Sequence, residues 1–532
     1  MCGIFFYLGK KYTNRDLIEN FERINKRGPD YSIIQQIDDV HIGFHRLAIN
    51  DLSSTGNQPF FNKGVYLICN GEIYNHNELK NKYKFETKSD SDCEVIIHMY
   101  NAFGFDETCK QLDGVFALII YNTNINKIYI SRDPYGVRPL FMGYNENEEL
   151  FLSSELKSIY DLTIYCKQFT PGYSLEYDIN TKNQIFRNYF DFQYKIDYLR
   201  DTDFILVGIK NKLISAVKKR LLSDRPIGAL LSGGLDSSLI AGIISRIYKD
   251  NNITNKFNTF GIGIKGSTDL DYSQKVADYI GSTHHNIVCT EEEFLNAIPF
   301  VICTVESYDI TTIRASVGNY LVAKYIKEKT DITVVFNGDG SDEQSGYYYL
   351  RNAPDKNEFQ QECVKLLREI HYFDGLRSDR SISSQWSLEA RTPFLDKEFV
   401  KFYMTVDPKL KMYNENKIEK YLLRKAFEQY KIIPDEVLWR PKEAFSDGCS
   451  SNNRSWHKII QEHVDKIITD EEYNKEKDKY TFNTPMSKES YYYRMLFDKY
   501  YPGKANVIPH FWLPNWTDIK DPSARELREL ME

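Results

Sequence analysis

Cys2 is the first side chain along the sequence with intrinsic reactivity. Methionine aminopeptidases trim Met ahead of a small residue, so the mature chain is expected to begin with Cys2, carrying a thiol and a free α-amine on one residue. An amine with an ordinary pKa of about 8 takes the thiol proton directly or through a water, and no separate histidine is needed to make a nucleophile. The bland reading is an incidental buried cysteine. A second constellation is Ser232-Gly-Gly-Leu-Asp-Ser-Ser238, after an apolar strand and ahead of an apolar helix. Its glycines permit a tight turn whose backbone N–H groups face the helix N-terminus, a ready anion site. Ser232, Ser237 and Ser238 add hydroxyl donors, and Asp236 is a candidate metal ligand. No lysine follows at the spacing of a P-loop. The bland reading here is a helix N-cap with a glycine-rich turn. Gly261-Ile-Gly-Ile-Lys-Gly266 fits a dinucleotide-binding spacing. However, Ile262 and Ile264 continue a strand pattern, and the preceding strand–turn–helix is already a phosphate site, so nicotinamide binding is set aside.

Other segments give Cys2 a context. Cys2-Gly-Ile, Arg27-Gly-Pro-Asp30, His45-Arg-Leu47, Asn70-Gly-Glu-Ile-Tyr-Asn75, Ser91-Asp-Cys-Glu-Val95 and Arg132-Asp-Pro-Tyr-Gly-Val-Arg-Pro-Leu140 occur in that order. Together they resemble the class II glutamine amidotransferase domain, an amino-terminal-nucleophile hydrolase of αββα layering. Hydrolysing an amide needs a thiolate and a donor pair for the developing oxyanion. The resemblance assigns that pair to the Asn70 side chain and the Gly71 N–H. It places Arg46 on glutamine's α-carboxylate, where a bidentate cation is wanted, and Glu72 and Asp92 at the α-ammonium. Leu47, Ala48, Ile49 and Asn50 complete the implied glutamine site. The bland alternatives are Arg46 as a surface charge, Asp92 as a helix N-cap and Asn70-Gly71 as a hairpin turn. Asn70-Gly71 is read as a turn and an oxyanion hole at once.

The heptad Ser232–Ser238 resembles the pyrophosphate loop of N-type ATP pyrophosphatases, which split ATP into AMP and pyrophosphate. Downstream come Thr311-Thr-Ile-Arg-Ala-Ser316, Asn337-Gly-Asp-Gly-Ser-Asp-Glu343, Leu388-Glu-Ala-Arg-Thr-Pro-Phe-Leu-Asp396 and Trp439-Arg-Pro-Lys-Glu-Ala-Phe-Ser-Asp-Gly448. With the amino-terminal half, these resemble the glutamine-hydrolysing asparagine synthetase family over essentially the whole chain. Tyr491-Tyr-Tyr-Arg494 and Asp521-Pro-Ser-Ala-Arg525 suggest its animal-like branch. The resemblance implies that ATP adenylates aspartate and that ammonia, passed internally, displaces AMP. Its ATP site would comprise Leu230, Ser232, Gly233, Gly234, Asp236, Ser237, Ile262, Asn337 and Gly338, with Leu230 and Ile262 against the adenine. Mg²⁺ is expected on Asp236 and Asp342, because hard cations choose carboxylate oxygens. Lys442 matches the lysine that neutralises the α-phosphate; its bland reading is a solvated surface lysine. Arg314 and Arg391 are further electrostatic candidates, and Arg391 has the alternative of pairing with Glu389 or Asp396.

One segment departs from the family. Its usual Ser-Gly-Glu-Gly-Ser-Asp-Glu stands here as Asn337-Gly-Asp-Gly-Ser-Asp-Glu343. Asp339 keeps the charge of a glutamate tied to adenylation but retracts it by about 1 Å, a displacement worth on the order of 100-fold in a positioned reaction. Asn337, bulkier than Ser, is expected to push the loop forward. The sequence therefore suggests a working but slow synthetase that Asp339→Glu would speed. Three rivals stand beside that reading: an amidotransferase with another acceptor acid, a β-lactam-forming relative, and a catalytically weak glutamine- or ATP-binding homologue. The β-lactam formers need neither ammonia nor an amino-terminal Cys.

Elements of two kinds must position these groups. Up to about residue 190, short apolar or alternating runs (Val65–Cys69, Val115–Tyr121, Ile128–Ser131, Leu150–Ser153) are split by Asn, Gly and Asp turns, with a helical pattern at Asp92–Phe103. Asn180–Asp203 has no period and reads as a linker. From residue 204, strands alternate with helices (Ile227–Leu231, Ser237–Tyr248, Asn258–Ile264, Ser273–Ile280), implying a parallel sheet covered by helices; after about 355 the chain reads mostly helical. The expected fold class is α/β, with a glutaminase domain over 1–190 and an ATP-pyrophosphatase domain over 204–532 ending in a helical part.

The chain has 532 residues, with 68 Lys+Arg against 75 Asp+Glu, a net charge of −7 that argues against a non-specific nucleic-acid or membrane-surface binder. The nine cysteines are scattered, the nearest two (Cys289 and Cys303) 14 positions apart, which reads as reduced thiols in the cytoplasm. No signal peptide and no apolar run of spanning length is present. The expected partners are glutamine, aspartate and ATP, with no nucleic acid and no membrane, and a homodimer is left open. His41 with His45, and His284-His285, lack a third ligand and are read as satisfied or exposed histidines rather than a metal site.

Overall fold

A computed structural model describes residues 1–413, 418–451, 453–519 and 521–523; Ala524 and Arg525 of the closing motif lie outside the described residues. The chain forms two compact units. The first comprises Met1–Phe192 with Leu222–Arg225 and Ile382–Glu389, the second Gln193–Leu221, Pro226–Ser381 and the remainder from Ala390.

The first unit is built on twelve strands: β1 (Gly3–Leu8), β2 (Tyr31–Ile37), β3 (Val40–Arg46), β4 (Phe60–Asn62), β5 (Val65–Ile73), β6 (Gly114–Asn122), β7 (Lys127–Arg132), β8 (Phe141–Tyr144), β9 (Leu150–Ser153), β10 (Tyr165–Gln168), β11 (Tyr173–Asp178) and β12 (Gln184–Asn188). They pair as two six-stranded sheets, ordered β10-β8-β9-β1-β3-β2 and β12-β11-β7-β6-β5-β4. Side chains alternate across each strand, and both faces of β5 are used. Ile68 joins Ile4, Phe6, Phe44, Ile119 and Ile130 in a core between the sheets. Leu67 and Cys69 point the other way, into a core shared with Val95, Ile96 and Met99 of the helix Val95–Phe103. On the far side, Leu17 and Phe21 of the helix Asn14–Glu22 are buried, with Phe21 edge-on to Phe5 of β1. The layers are thus αββα. Two sequence expectations are corrected: β12 pairs along β11 within the stretch read as a linker, and Asn70-Gly71 is no turn but lies inside β5, opposite Ala117 and Phe116.

The second unit holds a five-stranded sheet of β13 (Ile227–Leu230), β14 (Asn258–Ile264), β15 (Thr283–Cys289), β16 (Val334–Phe336) and β17 (Glu389–Arg391), ordered β15-β14-β13-β16-β17. β13 pairs parallel with both β14 and β16, and β14 with β15. Such crossovers require intervening helices: Leu235–Asp250 follows β13, Thr268–Ile280 follows β14, and Ile310–Lys329 precedes β16. The last of these helices is capped locally, where Asp309 accepts from Thr312 N at 2.9 Å. Beyond residue 355 the described chain is mostly helical. Among the described residues no helix is long and apolar enough to cross a membrane.

Candidate active sites

In the first unit Cys2 immediately precedes β1. Its Sγ lies 3.9 Å from the Leu47 carbonyl, and its carbonyl accepts from Arg27 Nε at 2.9 Å. Arg27 is ion-paired to Glu155 at 2.7 Å with both side chains fully buried. Met1 precedes Cys2 and is itself buried. Burial pushes the Met1 α-amine down and the Cys2 thiol up.

Arg46 closes β3 and is no surface charge. Its guanidinium donates to the Ser53 carbonyl at 2.6 Å, to Asn57 Oδ1 at 2.7 Å and to the Asp51 carbonyl. Leu47, Ala48 and Ile49 follow, all buried; Ala48 N donates to Asp30 at 2.9 Å. Asn50 then donates to Glu72 at 2.5 Å and reaches Asp92 at 3.4 Å. Asp92 Oδ2 accepts from Ile73 N at 2.6 Å, and burial pushes its carboxyl up against the pull of His76. The short span from Arg46 to Asn50 therefore carries a cation at its start and an amide gripping two carboxylates at its end. That charge layout suits an amino-acid zwitterion.

Asn70 lies between Ile68 and Glu72 on the face of β5 that looks into the space between the sheets, the core against which Cys2 also packs. The residue is completely buried, and neither its side-chain oxygen nor its nitrogen has a hydrogen-bond partner. Buried amides are normally satisfied, so this one is held ready for something the free protein lacks. Gly71 is required by close approach: a Cβ there would sit 2.4 Å from the Val115 carbonyl. Arg132–Leu140 is architectural. Asp133 accepts from the backbone N–H groups of Tyr135, Val137 and Arg138 at 3.1, 3.0 and 2.9 Å, while Arg132 donates to the Arg138, Phe169 and Gly136 carbonyls. The histidines are structural: His41 bonds Asn14, His45 bonds Ser32 and Phe21, and His284 and His285 bond Thr259 and Asn258.

In the second unit a cavity of about 180 Å³ opens at the carboxyl ends of β13 and β16, where parallel sheets bind ligands. Leu230, Phe260, Ile262, Ala315 and Val322 form an apolar wall. Ser232, Gly234, Asp236 and Ser237 line the turn after β13, and Asn337, Gly338 and Asp339 the turn after β16. The two turns touch closely, since a Cβ on Gly338 would meet Asp236 Cβ and Ser237 N at 2.8 Å. Gly233 is the predicted ATP residue that the cavity wall omits. It turns its back on the cavity, with φ +73° and no room for a Cβ, which would stand 2.4 Å from Tyr272; its carbonyl accepts from Arg440 at 3.2 Å. Ser238 is likewise fully buried and outside the lining.

At the polar floor Asp236 and Asp342 converge on two lysines. Lys420 Nζ stands 2.5 Å from Asp236 and 2.6 Å from Asp342. Lys442 Nζ is 2.5 Å from Asp342 and 3.9 Å from Asp236. Burial alone would raise the Asp342 carboxyl and lower the Lys442 ammonium, but the mutual attraction wins and moves each far the other way. Lys442 is thus no solvated surface lysine. Lys420, which no motif marked, belongs to the same site.

Asp339 is held back by three donors: Arg377 at 2.5 Å, Ser378 Oγ at 2.9 Å and Asn337 Nδ2 at 3.0 Å. Asn337 therefore braces Asp339 instead of driving the loop forward. Behind it Tyr347 OH donates between Glu343 at 3.0 Å and Asp374 at 2.8 Å. Burial and the neighbouring Asp374 push Glu343 well up, whereas Arg377 overcomes burial to hold Asp374 down. None of Arg377, Asp374 or Tyr347 lies in a segment that the sequence singled out. Two candidate cations fall away: Arg314 is buried in ion pairs with Glu489 and Asp521 at 2.6 and 2.7 Å, and Arg391 donates to the Arg220 carbonyl, while Asp396 pairs with Arg220 and Lys219.

The donor set fits Mg²⁺ of the kind that nucleotides carry. Two carboxylates converge around a position that an ammonium now shares. Among the described residues no group of three or more His, Cys, Asp or Glu side chains comes together to hold a metal alone. Mg²⁺ characteristically takes one or two carboxylates and completes its shell with phosphate and water.

Residues 1–191 match a family model described as a glutamine amidotransferase domain, and residues 208–358 and 350–518 match one described as asparagine synthase. The chain is 41% identical over 556 residues to the glutamine-hydrolyzing asparagine synthetase of Gallus gallus, covering 99% of both chains. It is 40% identical to the Homo sapiens protein of that name, over 99% of this chain and 98% of the relative. A probable asparagine synthetase of Acanthamoeba polyphaga mimivirus is 41% identical over 98% of this chain and 99% of its own.

Proposed function

Because the chain belongs to the glutamine-hydrolysing asparagine synthetases, we propose how its two sites divide the reaction. The enzyme makes asparagine from aspartate, with glutamine as nitrogen donor and ATP as the source of a leaving group. The observation that carries the division of labour is the orphaned Asn70 amide on the core against which Cys2 packs.

In the first unit the Cys2 sulfur attacks glutamine's side-chain carbonyl while the α-amine takes the thiol proton. Burial raises the Cys2 thiol and so disfavours the thiolate at rest, and the proton moves as the C–S bond forms. Asn70 and the Gly71 N–H receive the developing oxyanion. The C–N bond then breaks, the amine returns its proton, and ammonia leaves; water hydrolyses the thioester to glutamate. Arg46 and the Glu72–Asp92 corner orient the substrate by its two charged ends.

In the second unit the apolar wall takes the adenine and the Ser232–Ser237 turn the phosphates. Asp236 and Asp342 would hold Mg²⁺, which supplies charge neutralisation across the phosphates when bound. Aspartate's β-carboxylate oxygen attacks the α-phosphorus, the bond to pyrophosphate breaks, and ammonia displaces AMP from the acyl carbon. Lys442 stabilises negative charge on the α-phosphate, and Asp339 is a catalytic residue of the adenylation. We place the enzyme in the cytoplasm, a reading supported by nine free cysteines.

The test is Cys2→Ala, assayed for asparagine with glutamine and with added ammonium. Glutamine-dependent synthesis should vanish and ammonium-dependent synthesis persist. Loss of both, or glutamate release by the variant, overturns the division.

A further inference from the structure

Four groups at the floor of the nucleotide cavity balance one another in charge without any ligand. Asp236 and Asp342 contribute −2, Lys420 and Lys442 contribute +2, and all four side chains lie within 4 Å of one another in pairs. The two lysines are not equivalent. Lys442 favours Asp342 and is 21% exposed, at the cavity's open side. Lys420 is 3% exposed, makes near-equal contacts with both carboxylates, and stands between them as a cation would.

The fold goes to some length to put it there. Lys420 has φ +57° at the start of the helix Tyr421–Glu428, the left-handed region that costs a non-glycine residue about 1 kcal/mol or more. Its stem passes where Gly346 has no side chain, since a Cβ on Gly346 would lie 2.0 Å from Lys420 Cε. Ser341 fixes the other Asp236 oxygen at 2.8 Å, so the carboxylate cannot turn away from the ammonium.

A divalent ion entering this balanced floor meets two ammonium groups already on its carboxylates. Adding +2 beside two ammonium groups that already neutralise both carboxylates is unfavourable unless an anion arrives too. A nucleotide's polyphosphate supplies that anion and offers the ammonium new oxygens. We propose that Lys420 is a resident counter-ion that blocks the Asp236–Asp342 pair to free divalent metal and yields it only when a nucleotide polyphosphate draws the ammonium away. Lys420 is in this sense a positioning residue for the metal. The inference rests on the reading of Asp236 and Asp342 as metal ligands.

The experiment measures Mn²⁺ binding by electron paramagnetic resonance of the free ion, on the full chain, with and without α,β-methylene-ATP. The parent should bind Mn²⁺ at least about tenfold more tightly with the nucleotide analogue. Lys420→Met and Lys420→Gln should each bind Mn²⁺ alone at least about tenfold more tightly than the parent, and Lys420→Arg should not. A thermal midpoint of the second unit close to the parent's reports that each variant is folded. Equal Mn²⁺ affinity of the parent with and without the analogue overturns the proposal, and this arm needs no variant; so does a Lys420→Met or Lys420→Gln that gains nothing. Adding Asp236→Asn to Lys420→Met should abolish the gained site. If the gain survives, the metal sits elsewhere, and the assignment of Asp236 and Asp342 fails instead.

Discussion

Replacing Asn70 with alanine should separate catalysis from stability. In the free protein both polar atoms of this side chain are buried without partners, a state that costs about 1–3 kcal/mol. Alanine removes that cost and leaves a small cavity worth about 1 kcal/mol in the other direction. The net effect on folding is neutral or a gain of up to about 2 kcal/mol. In the transition state the balance reverses, because losing one oxyanion donor costs about 3–4 kcal/mol, or roughly 100- to 1000-fold in kcat. The assay is glutamate release without aspartate, with the thermal midpoint of the amino-terminal unit measured in parallel. Asparagine formation from ammonium is expected to stay at the parent rate. An Asn70→Ala protein that melts clearly earlier while keeping glutaminase within a few-fold of the parent refutes the reasoning, since Asn70 would then be a structural amide.

Three donors grip Asp339 at its short reach, so Asp339→Glu alone is expected to slow aspartate-dependent pyrophosphate release, and adding Asn337→Ser to recover part of the rate. A single variant faster than the parent would show that the carboxylate is retracted, as the sequence suggested. Glu155 titrates at about 2, because Lys157 and Arg27 outweigh the burial that would raise it from 4.5. Its folded pKa lies below the unfolded one, so its stabilisation is present above about pH 4.5 and lost as pH falls towards 2. That amounts to about 3 kcal/mol. Glu155→Gln should flatten the acid limb of the first unit's melting curve, and an unchanged limb counts against the pairing.

The sequence by itself marked the chemistry and the candidate residues for it. Cys2, Arg46, Asn70, Glu72 and Asp92, and separately Asp236, Asp342 and Lys442, sit in short segments that the family resemblance singles out. Turn, strand and helix signals are equally local, which is why β9 and β14 match their expected bounds. The tertiary structure decided whatever depends on which strand lies beside which. Asn70-Gly71 looked like a turn because that dipeptide favours one, yet pairing with β6 draws it into a strand, where the glycine serves close approach. Gly233 and Ser238 belong to the same motif but lie outside the cavity lining, Gly233 packed against Tyr272 and Ser238 fully buried. Arg314 lost its expected role to Glu489 and Asp521, carboxylates that follow it in the chain by 175 and 207 residues. Lys420, Arg377 and Asp374 carry no local signature, since a lysine or arginine becomes a site residue only when distant chain segments bring carboxylates within about 3 Å of it. Burial is likewise set by the whole fold, and it is burial that makes the Asn70 amide an orphan and encloses Lys420 between Asp236 and Asp342.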